Sequence, residues 1–412
     1  MSRQFLVTLC NLLIPAASLF AQLWTATSAP TNYWNAIASS SDGTRLLAAD
    51  KLGVSNFSSV YVSTNAGTTW IAAITLTNIN WASVASSADG TKMFAAAQGV
   101  ILGPGGTGSS LYSSGDSGVT WTQMTAPVVV SSSIAASGDG TKLAVAVGGF
   151  GGQGPIYTST NSGQTWTQTS APQTSWGAIA SSADGAKLAA AVAGGITPVG
   201  PGQFVTNTGL IYTSGNGGAT WATAGPTLAL WGSIASSADG TRLAACVELG
   251  GGIYISTNSG NSWTKTTAPT GNWSSVASSA DGTRLAAVVY HGPIYTSINS
   301  GVTWISNNIA PSYWTAIASS ADGGALAVVD YPGGIVTSRS TLHPNVRMAS
   351  DGGNAVISWI VPSTNFVLQW AAGPSSTWDD VSTPPGLNLT TLEHQVVIPP
   401  TNSQGFYRLE TR

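Results

Sequence analysis

The stretch WSSVASSADGTRLAAVVYHGPIYTSINSGVTW, from Trp273 to Trp304, is the clearest copy of a pattern that runs through most of this chain. Seven copies align on the aspartate of a D-G turn, at Asp42, Asp89, Asp139, Asp184, Asp239, Asp281 and Asp322. Successive aspartates are 47, 50, 45, 55, 42 and 41 residues apart. A period of this size indicates a repeat architecture, in which each copy is one small unit of several secondary-structure elements.

Each copy divides into four short runs that have the composition of β-strands. The runs are W-x-x-I-A-S-S, an Ala/Val-rich segment, G-x-I-Y-T-S and a segment that begins T-W-T, as at Trp231–Ser237, Leu188–Val192, Ile156–Ser159 and Thr165–Thr167. β-Branched and aromatic residues dominate the last two runs, and turn residues separate all four. Repeated four-stranded units of this kind predict an all-β protein built as a β-propeller, with one blade per unit.

The number of runs predicts how the propeller closes. The first three runs each occur seven times, but the fourth occurs only six times after a third run. The missing fourth run lies at the other end of the chain, at Leu23–Thr27, and Ser28-Ala29-Pro30 follows it much as Ser170-Ala171-Pro172 follows Trp166. We therefore predict a seven-bladed β-propeller whose last blade is completed by the N-terminal strand of the mature chain, which removes an exposed sheet edge.

The composition limits the classes of partner. Only 7% of the 412 residues are charged, whereas 43% are hydrophobic and 16 are tryptophan, so the chain is expected to fold and not to remain disordered. The net charge is −3 and no cluster of Lys and Arg occurs. This argues against nucleic acid and against anionic membrane surfaces as partners. We expect a monomer.

Residues 1–21 have the pattern of a secretory signal peptide. Arg3 supplies a positive charge, Phe5–Phe20 is mostly apolar, and Ala21 is a small residue suited to a cleavage site. A transmembrane anchor is the alternative, but the apolar stretch is short and polar and proline residues interrupt it. We therefore expect a protein that is secreted or held in the cell envelope, with no membrane span after cleavage.

The turn between the third and fourth runs carries the motif S-x-[DN]-x-G-x-[ST]-W six times. The copies are STNAGTTW at Ser63–Trp70, SGDSGVTW at Ser114–Trp121, STNSGQTW at Ser159–Trp166, SGNGGATW at Ser214–Trp221, STNSGNSW at Ser256–Trp263 and SINSGVTW at Ser297–Trp304. The motif resembles the Asp-box, or BNR, repeat of sialidase-like propellers, and the resemblance covers roughly residues 23–341. In that family the box is a peripheral folding element, which implies a structural role here. Five copies have Asn in place of Asp, and Asn can accept the same hydrogen bonds within the turn.

The resemblance implies a fold and not one activity, because propellers with this repeat include sialidases, xyloglucan-cleaving glycosidases, sorting-receptor ectodomains and photosystem assembly factors. A sialidase of this family would need three arginines around a carboxylate and a Tyr–Glu pair. The propeller region contains only Arg45, Arg242, Arg284 and Arg339, and the first three follow D-G turns, where we expect them to be solvated. Sialidase activity is therefore not expected.

Carboxylates that depart from the repeat form the first candidate site. Asp50 and Asp330 occupy the same repeat position, where other copies have Ala or Val, and they fall in the first and last blades. Glu248 lies beside the equivalent position. Paired carboxylates can hydrolyse a glycosidic bond, with one acting as the acid and the other as the base or nucleophile, so these three residues are the candidate catalytic residues if the protein is an enzyme. The alternative, which we favour, is that both aspartates are solvated residues at strand ends.

Aromatic residues form the second candidate site. The first run begins with tryptophan in six copies, at Trp34, Trp81, Trp176, Trp231, Trp273 and Trp314. At the rim of a propeller such rings could stack on a sugar or a peptide. The segment between the second and third runs differs in length from copy to copy, and we call these segments the variable loops. Tyr290, His291 and Tyr331 lie in or beside the variable loops, on the same face as the tryptophans, and Tyr33 and Tyr313 extend this aromatic lip. The alternative for the tryptophans is packing between adjacent blades, which their repetition favours.

No metal or cofactor is expected. His291, His343 and His394 are isolated in the sequence, and neither a phosphate-binding loop nor a G-x-S-x-G elbow occurs. Cys10 lies in the predicted leader, so Cys246 would be the single thiol of the mature chain. We expect Cys246 to be a small buried apolar residue.

The repeat ends near Ser340, and residues 346–412 predict a separate small β-sandwich. Its strand-like runs are Asn354–Trp359, Phe366–Trp370, Gln395–Ile398 and Phe406–Leu409. This tail is loosely similar to the fibronectin type III modules that are appended to secreted bacterial proteins. We therefore divide the chain into a signal peptide (1–21), a propeller (22–341) and a β-sandwich (346–412).

The sequence favours an exported, non-catalytic propeller that binds a carbohydrate or a protein on the face formed by its variable loops. The expected partner is a polysaccharide or an extracellular protein. Two alternatives stay open. One is a glycoside hydrolase or lyase that uses the paired carboxylates, and the other is a purely structural protein of the cell envelope.

Overall fold

The structure is a computed structural model that describes residues 23–52, 57–98, 111–126, 131–149, 152–200, 203–207, 209–307, 309–340, 346–351, 354–360, 366–371, 377–383, 385–388, 393–398 and 406–411. The predicted signal peptide lies outside these residues. All regular elements in the described residues are β-strands. Within these same ranges there is no helix of the length and apolarity needed to cross a membrane.

The described part of residues 23–340 contains the short strand β1 (Trp24–Ala26) and then seven successive groups of antiparallel strands, which we number sheet 1 to sheet 7. Sheet 1 contains β2 (Trp34–Ser39), β3 (Leu46–Asp50), β4 (Phe57–Ser63) and β5 (Ile71–Thr77). Sheet 2 contains β6 (Asn80–Ser86), β7 (Met93–Gln98), β8 (Leu111–Ser114) and β9 (Thr122–Gln123). Sheet 3 contains β10 (Ser131–Ala136), β11 (Leu143–Gly149), β12 (Gly152–Ser159) and β13 (Thr167–Gln168).

The next sheets follow the same order. Sheet 4 contains β14 (Trp176–Ser181) and β15 (Leu188–Val192), then a separate hairpin of β16 (Gly195–Gly200) and β17 (Gln203–Asn207), and then β18 (Gly209–Ser214) and β19 (Ala222–Ala229). Sheet 5 contains β20 (Trp231–Ser236), β21 (Leu243–Val247), β22 (Ile253–Ser256) and β23 (Thr264–Lys265). Sheet 6 contains β24 (Trp273–Ser278), β25 (Leu285–Gly292), β26 (Ile294–Ser297) and β27 (Ile305–Ser306). Sheet 7 contains β28 (Ser312–Ser319), β29 (Ala325–Asp330) and β30 (Ile335–Arg339).

The N-terminal strand β1 is the outer strand of sheet 7. It pairs antiparallel with β30, and Trp24 lies opposite Ser338. The next residue, Thr27, donates its N–H to the carbonyl of Ile335 at 2.9 Å. Thr169 of sheet 3 makes the same bond within its own sheet, to Ile156 at 2.9 Å. A segment from the start of the described chain therefore takes the place that a local strand takes elsewhere.

The D-G turns are joined in a closed circle of backbone hydrogen bonds. In each case the N–H of the residue before the turn aspartate donates to the carbonyl of its counterpart in the next sheet, at 2.7–2.8 Å. The circle runs through Ser41, Ala88, Gly138, Ala183, Ala238, Ala280 and Ala321 and returns to Ser41. We call the end of the sheets that carries these turns the turn face, and the opposite end the loop face.

Sheets 6 and 7 are connected more closely than the repeat predicts. Strand β25 continues past the end of the predicted second run, and it pairs with β28 through Tyr290 opposite Tyr313 and Gly292 opposite Ser312. The segment between β25 and β26 is very short, which lets β25 extend toward the neighbouring sheet. The two sheets therefore form one continuous eight-stranded sheet at the loop face.

The second strand of each sheet packs in the interior. Alanines of these strands are almost fully buried, with Ala48, Ala95, Ala190, Ala245 and Ala287 at 0% exposure. Small side chains allow neighbouring sheets to approach closely where they converge. Larger apolar residues, such as Leu47, Val60 and Met93, complete the buried cluster between sheets 1 and 2.

The cations that follow the D-G turns do not simply point into solvent, as the sequence led us to expect for three arginines. The guanidinium of Arg45 donates to the carbonyl of Asp89 in the next sheet at 2.7 Å, and that of Arg284 donates to the carbonyl of Asp322 at 2.8 Å. Arg242 reaches the hydroxyl of Ser300, also in the next sheet, at 2.9 Å. Each of these arginines therefore connects two sheets.

The S-x-[DN]-x-G-x-[ST]-W segments form tight turns held by their own side chains. In the first copy the Asn65 side-chain carbonyl accepts the N–H of Thr69 at 2.8 Å, and the Ser63 hydroxyl accepts the N–H of Gly67 at 2.9 Å. Asp116 makes the same bond to the N–H of Thr120 at 2.8 Å. The tryptophans that end these segments are half-buried. The turn thus stabilises the outer part of sheets 1 to 6.

The C-terminal residues form two further antiparallel sheets. One contains β31 (Val346–Asp351), β32 (Asn354–Ile360), β35 (Gly386–Asn388) and β36 (Glu393–Ile398), and the other contains β33 (Phe366–Ala371), β34 (Asp379–Asp380) and β37 (Phe406–Thr411). Ile357, Trp359 and Val396 of the first sheet share one buried cluster with Leu368 and Tyr407 of the second. The two sheets therefore pack face to face around a core of their own.

Candidate functional site

Asp50 is buried at the loop end of β3. Its exposure is 2%, and one carboxylate oxygen accepts the backbone N–H of Ser59 at 2.6 Å. The other oxygen accepts a hydrogen bond from the side-chain amide of Asn32. Burial raises the pKa of the Asp50 carboxyl from 3.8 to about 6. The prediction that this residue is solvated is therefore wrong, because the segment at Ser59 and Asn32 cover it.

Asp330 is half-buried at the same position of sheet 7. It lies opposite Trp314 in the pairing of β28 with β29, as Asp50 lies opposite Trp34 in sheet 1. Its carboxylate accepts the hydroxyl of Ser312 at 2.6 Å and the N–H of Tyr331 at 2.9 Å. Ser312 and Asn32 both stand two residues before the tryptophan of their sheets. The two aspartates thus hold in place the segments that lead to the tryptophans of sheets 1 and 7.

Asn32 lies between the two aspartates. Its backbone pairs with that of Gly333, at 2.8 and 2.9 Å, and Gly333 lies against the carboxylate of Asp330. Its side chain donates to Asp50. All four oxygens of the two carboxylates therefore accept hydrogen bonds from the protein itself. This arrangement fits a role in holding the junction of sheets 7 and 1.

Glu248 is exposed at the loop end of sheet 5, two sheets away from sheet 7 along the chain. Its Cγ lies over Gly232 of β20, the first strand of sheet 5. Neighbouring groups displace part of its water and raise the pKa of its carboxyl. In the structure Glu248 is thus not placed with Asp50 and Asp330, and the three candidate catalytic residues do not form one cluster.

The six tryptophans of the first run lie inside the protein and not at its rim. Their exposure is between 0% and 3%, for Trp34, Trp81, Trp176, Trp231, Trp273 and Trp314. Trp81 of sheet 2, for example, packs against Leu47 and Val60 of sheet 1 and meets the ring of Tyr112 edge to face at 5.4 Å. Their faces are therefore not available to stack on a ligand, and packing between sheets accounts for them.

The smaller aromatic residues, in contrast, come together at the loop face. Tyr290 meets Tyr313 with ring centroids 5.5 Å apart, and His291 lies 4.7 Å from the same ring. Tyr331 meets Tyr33 at 5.2 Å, and its N–H donates to the carbonyl of Tyr313 at 3.1 Å. We call these five residues the aromatic strip. It crosses sheets 6, 7 and 1.

Much of the aromatic strip is open to solvent. Tyr290 is 39% exposed and Tyr313 is 42% exposed, and His291 is also exposed. The rings of each pair stand edge to face, which leaves ring faces and phenol groups available between them. The sequence indicates three of these residues as departures from the repeat and the other two by their place directly before a tryptophan.

No residue constellation in the described ranges points to a metal, since no group of three or more His, Cys, Asp or Glu side chains lies close enough to hold one. Cys246 is fully buried, and burial raises the pKa of its thiol, so it is not a reactive nucleophile. His343 lies outside the described residues. His394 belongs to the C-terminal unit, where its ring packs on Trp359.

The turn face carries a narrow opening of about 160 Å³ at the centre of the circle of turns. Serine hydroxyls line it, and those of Ser39, Ser181 and Ser278 each donate to the carbonyl of the next residue at 2.9 Å. The opening is therefore small, and the hydroxyl groups of these three serines already have partners.

Comparison with known proteins identifies the fold. No family model matches the sequence, and no curated protein matches it. Among solved structures, YCF48 from Cyanidioschyzon merolae is similar at 16% identity with a TM-score of 0.55, over 77% of this chain and 98% of that one. YCF48 bound to D1 peptide is similar at 18% identity with a TM-score of 0.55, over 80% of this chain and 100% of that one. The β-propeller domain of Cps50 (Swd1) from Myceliophteria thermophila is similar at 14% identity with a TM-score of 0.54, over 78% of this chain and 100% of that one. At these identities the likeness shows the fold alone, and that fold is a β-propeller.

Proposed function

We propose that this protein is an exported, non-catalytic β-propeller that binds an extended segment of a partner protein along the aromatic strip. The observation that carries the proposal is the continuity of the aromatic strip over three neighbouring sheets, with Tyr290, His291 and Tyr313 exposed on the loop face and Tyr331 and Tyr33 half-buried. Tyrosine offers a large rigid contact area and a phenol group for hydrogen bonding, which is why it is enriched in binding surfaces.

We propose further that the seven sheets are the blades of one closed ring, sealed by β1. Three observations support this. The D-G turns are linked in an unbroken circle. Strand β1 pairs with β30. The hydroxyl of Thr315 in sheet 7 donates to the carbonyl of Trp34 in sheet 1 at 2.9 Å, as Ser274 of sheet 6 does to Trp314 of sheet 7 at 2.7 Å.

Of the two ligand classes expected from the sequence, the geometry favours protein over carbohydrate. The buried tryptophans offer no ring faces to a sugar. The carboxylates of Asp50 and Asp330 already accept hydrogen bonds from the chain, so they are poorly placed to bind sugar hydroxyls. A similar propeller, YCF48, is known in complex with D1 peptide, which supports a peptide ligand on this fold.

The glycosidase alternative receives less support from the structure. Hydrolysis needs two carboxylates facing one cleft, with one of them protonated. Asp50 has a raised pKa, but it is covered by the segment at Ser59 and its oxygens are occupied. If the protein cleaves any plant, algal or bacterial polysaccharide and Asp330→Asn stops the cleavage, the non-catalytic proposal is wrong.

Export and attachment also belong to this proposal. The pattern of residues 1–21 supports secretion or placement in the cell envelope, where an extracellular protein would be the partner. The two packed sheets of the C-terminal unit support a fibronectin III-like module that spaces or attaches the propeller. Fractionation of the producing cells tests export, and recovery of the full chain with residues 1–21 in the cytoplasm would contradict it.

Binding is tested by exposing the purified protein to a displayed library of random peptides and, in parallel, to a glycan array. We expect peptides to be enriched and the double variant Tyr290→Ala/Tyr313→Ala to lose at least 10-fold in affinity for them, since these rings would supply the anchoring contacts. Ile298→Ala is the control, because Ile298 is 61% exposed but lies in a turn at the turn face. Glycan binding that survives the double tyrosine variant would place the ligand elsewhere.

A further inference from the structure

Five described residues occupy equivalent places around the mouth of the loop face. Each comes directly after the residue that pairs with the tryptophan of the first strand of its sheet, and its N–H donates to the carbonyl of the residue before that tryptophan. One is Ala193 of sheet 4, whose N–H donates to the carbonyl of Ser175 at 2.7 Å, and the other four carry polar or charged side chains. The bonds run from Glu248 to Leu230 at 2.8 Å, from Tyr290 to Asn272 at 2.8 Å, from Tyr331 to Tyr313 at 3.1 Å and from Lys51 to Tyr33 at 2.8 Å. In the order of sheets 5, 6, 7 and 1, the side chains are a carboxylate, two phenols and an ammonium group.

Asn272 links Leu249, the neighbour of Glu248, to the sheet 6 end of the aromatic strip. The side-chain carbonyl of Asn272 accepts the N–H of Leu249 at 3.0 Å, while its backbone carbonyl accepts the N–H of Tyr290. Glu248 is exposed, and loss of water around it raises the pKa of its carboxyl. A cationic ligand group would replace the interactions that the carboxylate has lost with water.

Lys51 ends the strip on the other side, in sheet 1. It is half-buried, and burial lowers the pKa of its ammonium group, so an anionic ligand group would stabilise its charge. Asp50 precedes it, but successive residues of an extended chain point to opposite sides, and the Asp50 carboxylate is directed to Asn32 and Ser59. The other charged or titratable groups along the strip are His291, on the ring of Tyr313, and the half-buried Asp330.

We propose that the aromatic strip reads the direction of the segment it binds, with a basic side chain held at Glu248, the centre of the segment on the tyrosines, and an acidic side chain held at Lys51. This inference rests on the proposed function and names the ligand class, which is an extended peptide with opposite charges at its two ends. A segment in the reverse direction would bring like charges together at both ends, and such pairs are strongly disfavoured.

The test begins with sequencing of the peptides that the unaltered protein enriches from the displayed library. We expect a core of apolar or aromatic residues with a basic residue on one side and an acidic residue on the other. Glu248→Gln should remove the preference for the basic residue and leave the acidic one, and Lys51→Gln should do the reverse. Asp116→Asn and Lys265→Gln are matched controls, since both residues are exposed and lie outside the strip, and neither should change the preferences.

Synthetic peptides then separate the two charges without any risk to folding. In an enriched peptide, replacement of the basic residue by methionine should weaken binding to the unaltered protein about 10-fold and binding to Glu248→Gln by less than 2-fold. Replacement of the acidic residue by its amide should likewise weaken binding to the unaltered protein about 10-fold and binding to Lys51→Gln by less than 2-fold. Measurement at low and moderate salt should show that the loss shrinks as salt rises.

The outcomes distinguish the two proposals. If no peptide is enriched, or if enrichment survives Tyr290→Ala/Tyr313→Ala, the proposed function fails and this inference fails with it. If peptides bind through the tyrosines but show no charge preference, or if the preferences persist in Glu248→Gln and Lys51→Gln, the inference is wrong and the proposed function stands.

Discussion

Asp50 takes the position that valine holds in four other repeats, at Val147, Val192, Val247 and Val289. Its carboxyl is buried, and its pKa is raised from 3.8 in the unfolded chain to about 6 in the folded one. The folded state therefore prefers the protonated carboxyl. The stability that this preference contributes is complete below about pH 4 and is lost as the pH rises to about 6. A shift of this size corresponds to roughly 3 kcal/mol between the two limits.

We predict that Asp50→Asn flattens the pH dependence of the free energy of unfolding between pH 4 and pH 6, because the titrating group is gone. Denaturant unfolding at several pH values measures the effect. Asp116→Asn is the control, since hydrogen bonds from Thr120 lower the pKa of that carboxyl to about 2 and its contribution is lost as the pH falls from 4 toward 2. The same slope between pH 4 and pH 6 in Asp50→Asn and in the unaltered protein would show that Asp50 is ionised freely in the fold.

In six of the seven sheets, the repeat places a Lys or Arg at the interface with the next sheet. Sheet 7 is the exception. Six repeats have Lys or Arg two residues after the D-G glycine, whereas sheet 7 has Ala325 there; the six are Arg45, Lys92, Lys142, Lys187, Arg242 and Arg284. In sheet 7 the guanidinium of Arg339, from the neighbouring strand β30, instead donates to the carbonyl of Gly43 at 3.0 Å. The interface of sheets 7 and 1 therefore keeps a cation that comes from a different strand.

We predict that Arg339→Ala lowers the free energy of unfolding by about 0.5–1 kcal/mol, because a charge-assisted hydrogen bond across the interface is lost from a partly solvated site. Ala325→Lys in the same chain should restore most of the loss by placing the cation where the other sheets have it. Thermal unfolding of the single and double variants measures both steps. Failure of the second substitution to recover stability would mean that the arginine acts through packing alone.

At the level of the element, the strands are the part of the structure that was predictable from sequence. The D-G turns and the tryptophans recur, so each repeat could be divided into runs that the strands match closely. The β25–β28 connection was not predictable, because it depends on how far Tyr290–Gly292 extends toward the next sheet. The contact of Arg45 with Asp89 and the backbone pairing of Asn32 with Gly333 were missed for a similar reason. These partners belong to a neighbouring sheet, whose distance the sequence does not specify.

The candidate site was only partly predictable. Burial of Trp34 and its counterparts follows from their repetition, which favours a structural role. Tyr290, His291 and Tyr331 were recognisable as departures from the repeat, but their meeting with Tyr33 depends on contact between two sheets whose strands are nearly three hundred residues apart in the chain. The binding role of the strip, and the catalytic role considered for the carboxylates, stay predictions.

For the whole molecule, the ends of the repeat region depend on each other. Trp24 and Val336 both pack against the core between sheets 6 and 7, and β1 pairs with β30 over three residues. We predict that a chain beginning at Thr31 loses about 2–4 kcal/mol of unfolding free energy relative to one beginning at Leu23, because the outer strand of sheet 7 and its tryptophan are gone. Calorimetry compares the two chains, and equal melting temperatures would contradict the proposed sealing of the ring.

The backbone pairing of β25 with β28 affects how a ligand binds to the tyrosines above it. Tyr290 and Tyr313 lie opposite each other in that backbone pairing, so the platform beneath the two rings is stiff before anything arrives. Binding a ligand there then costs little conformational entropy of the protein. Almost all of the entropic cost comes from ordering the ligand's own chain. Slow amide exchange at Gly292 in the empty protein, unchanged after saturation, would be the signature of such a ready-made surface.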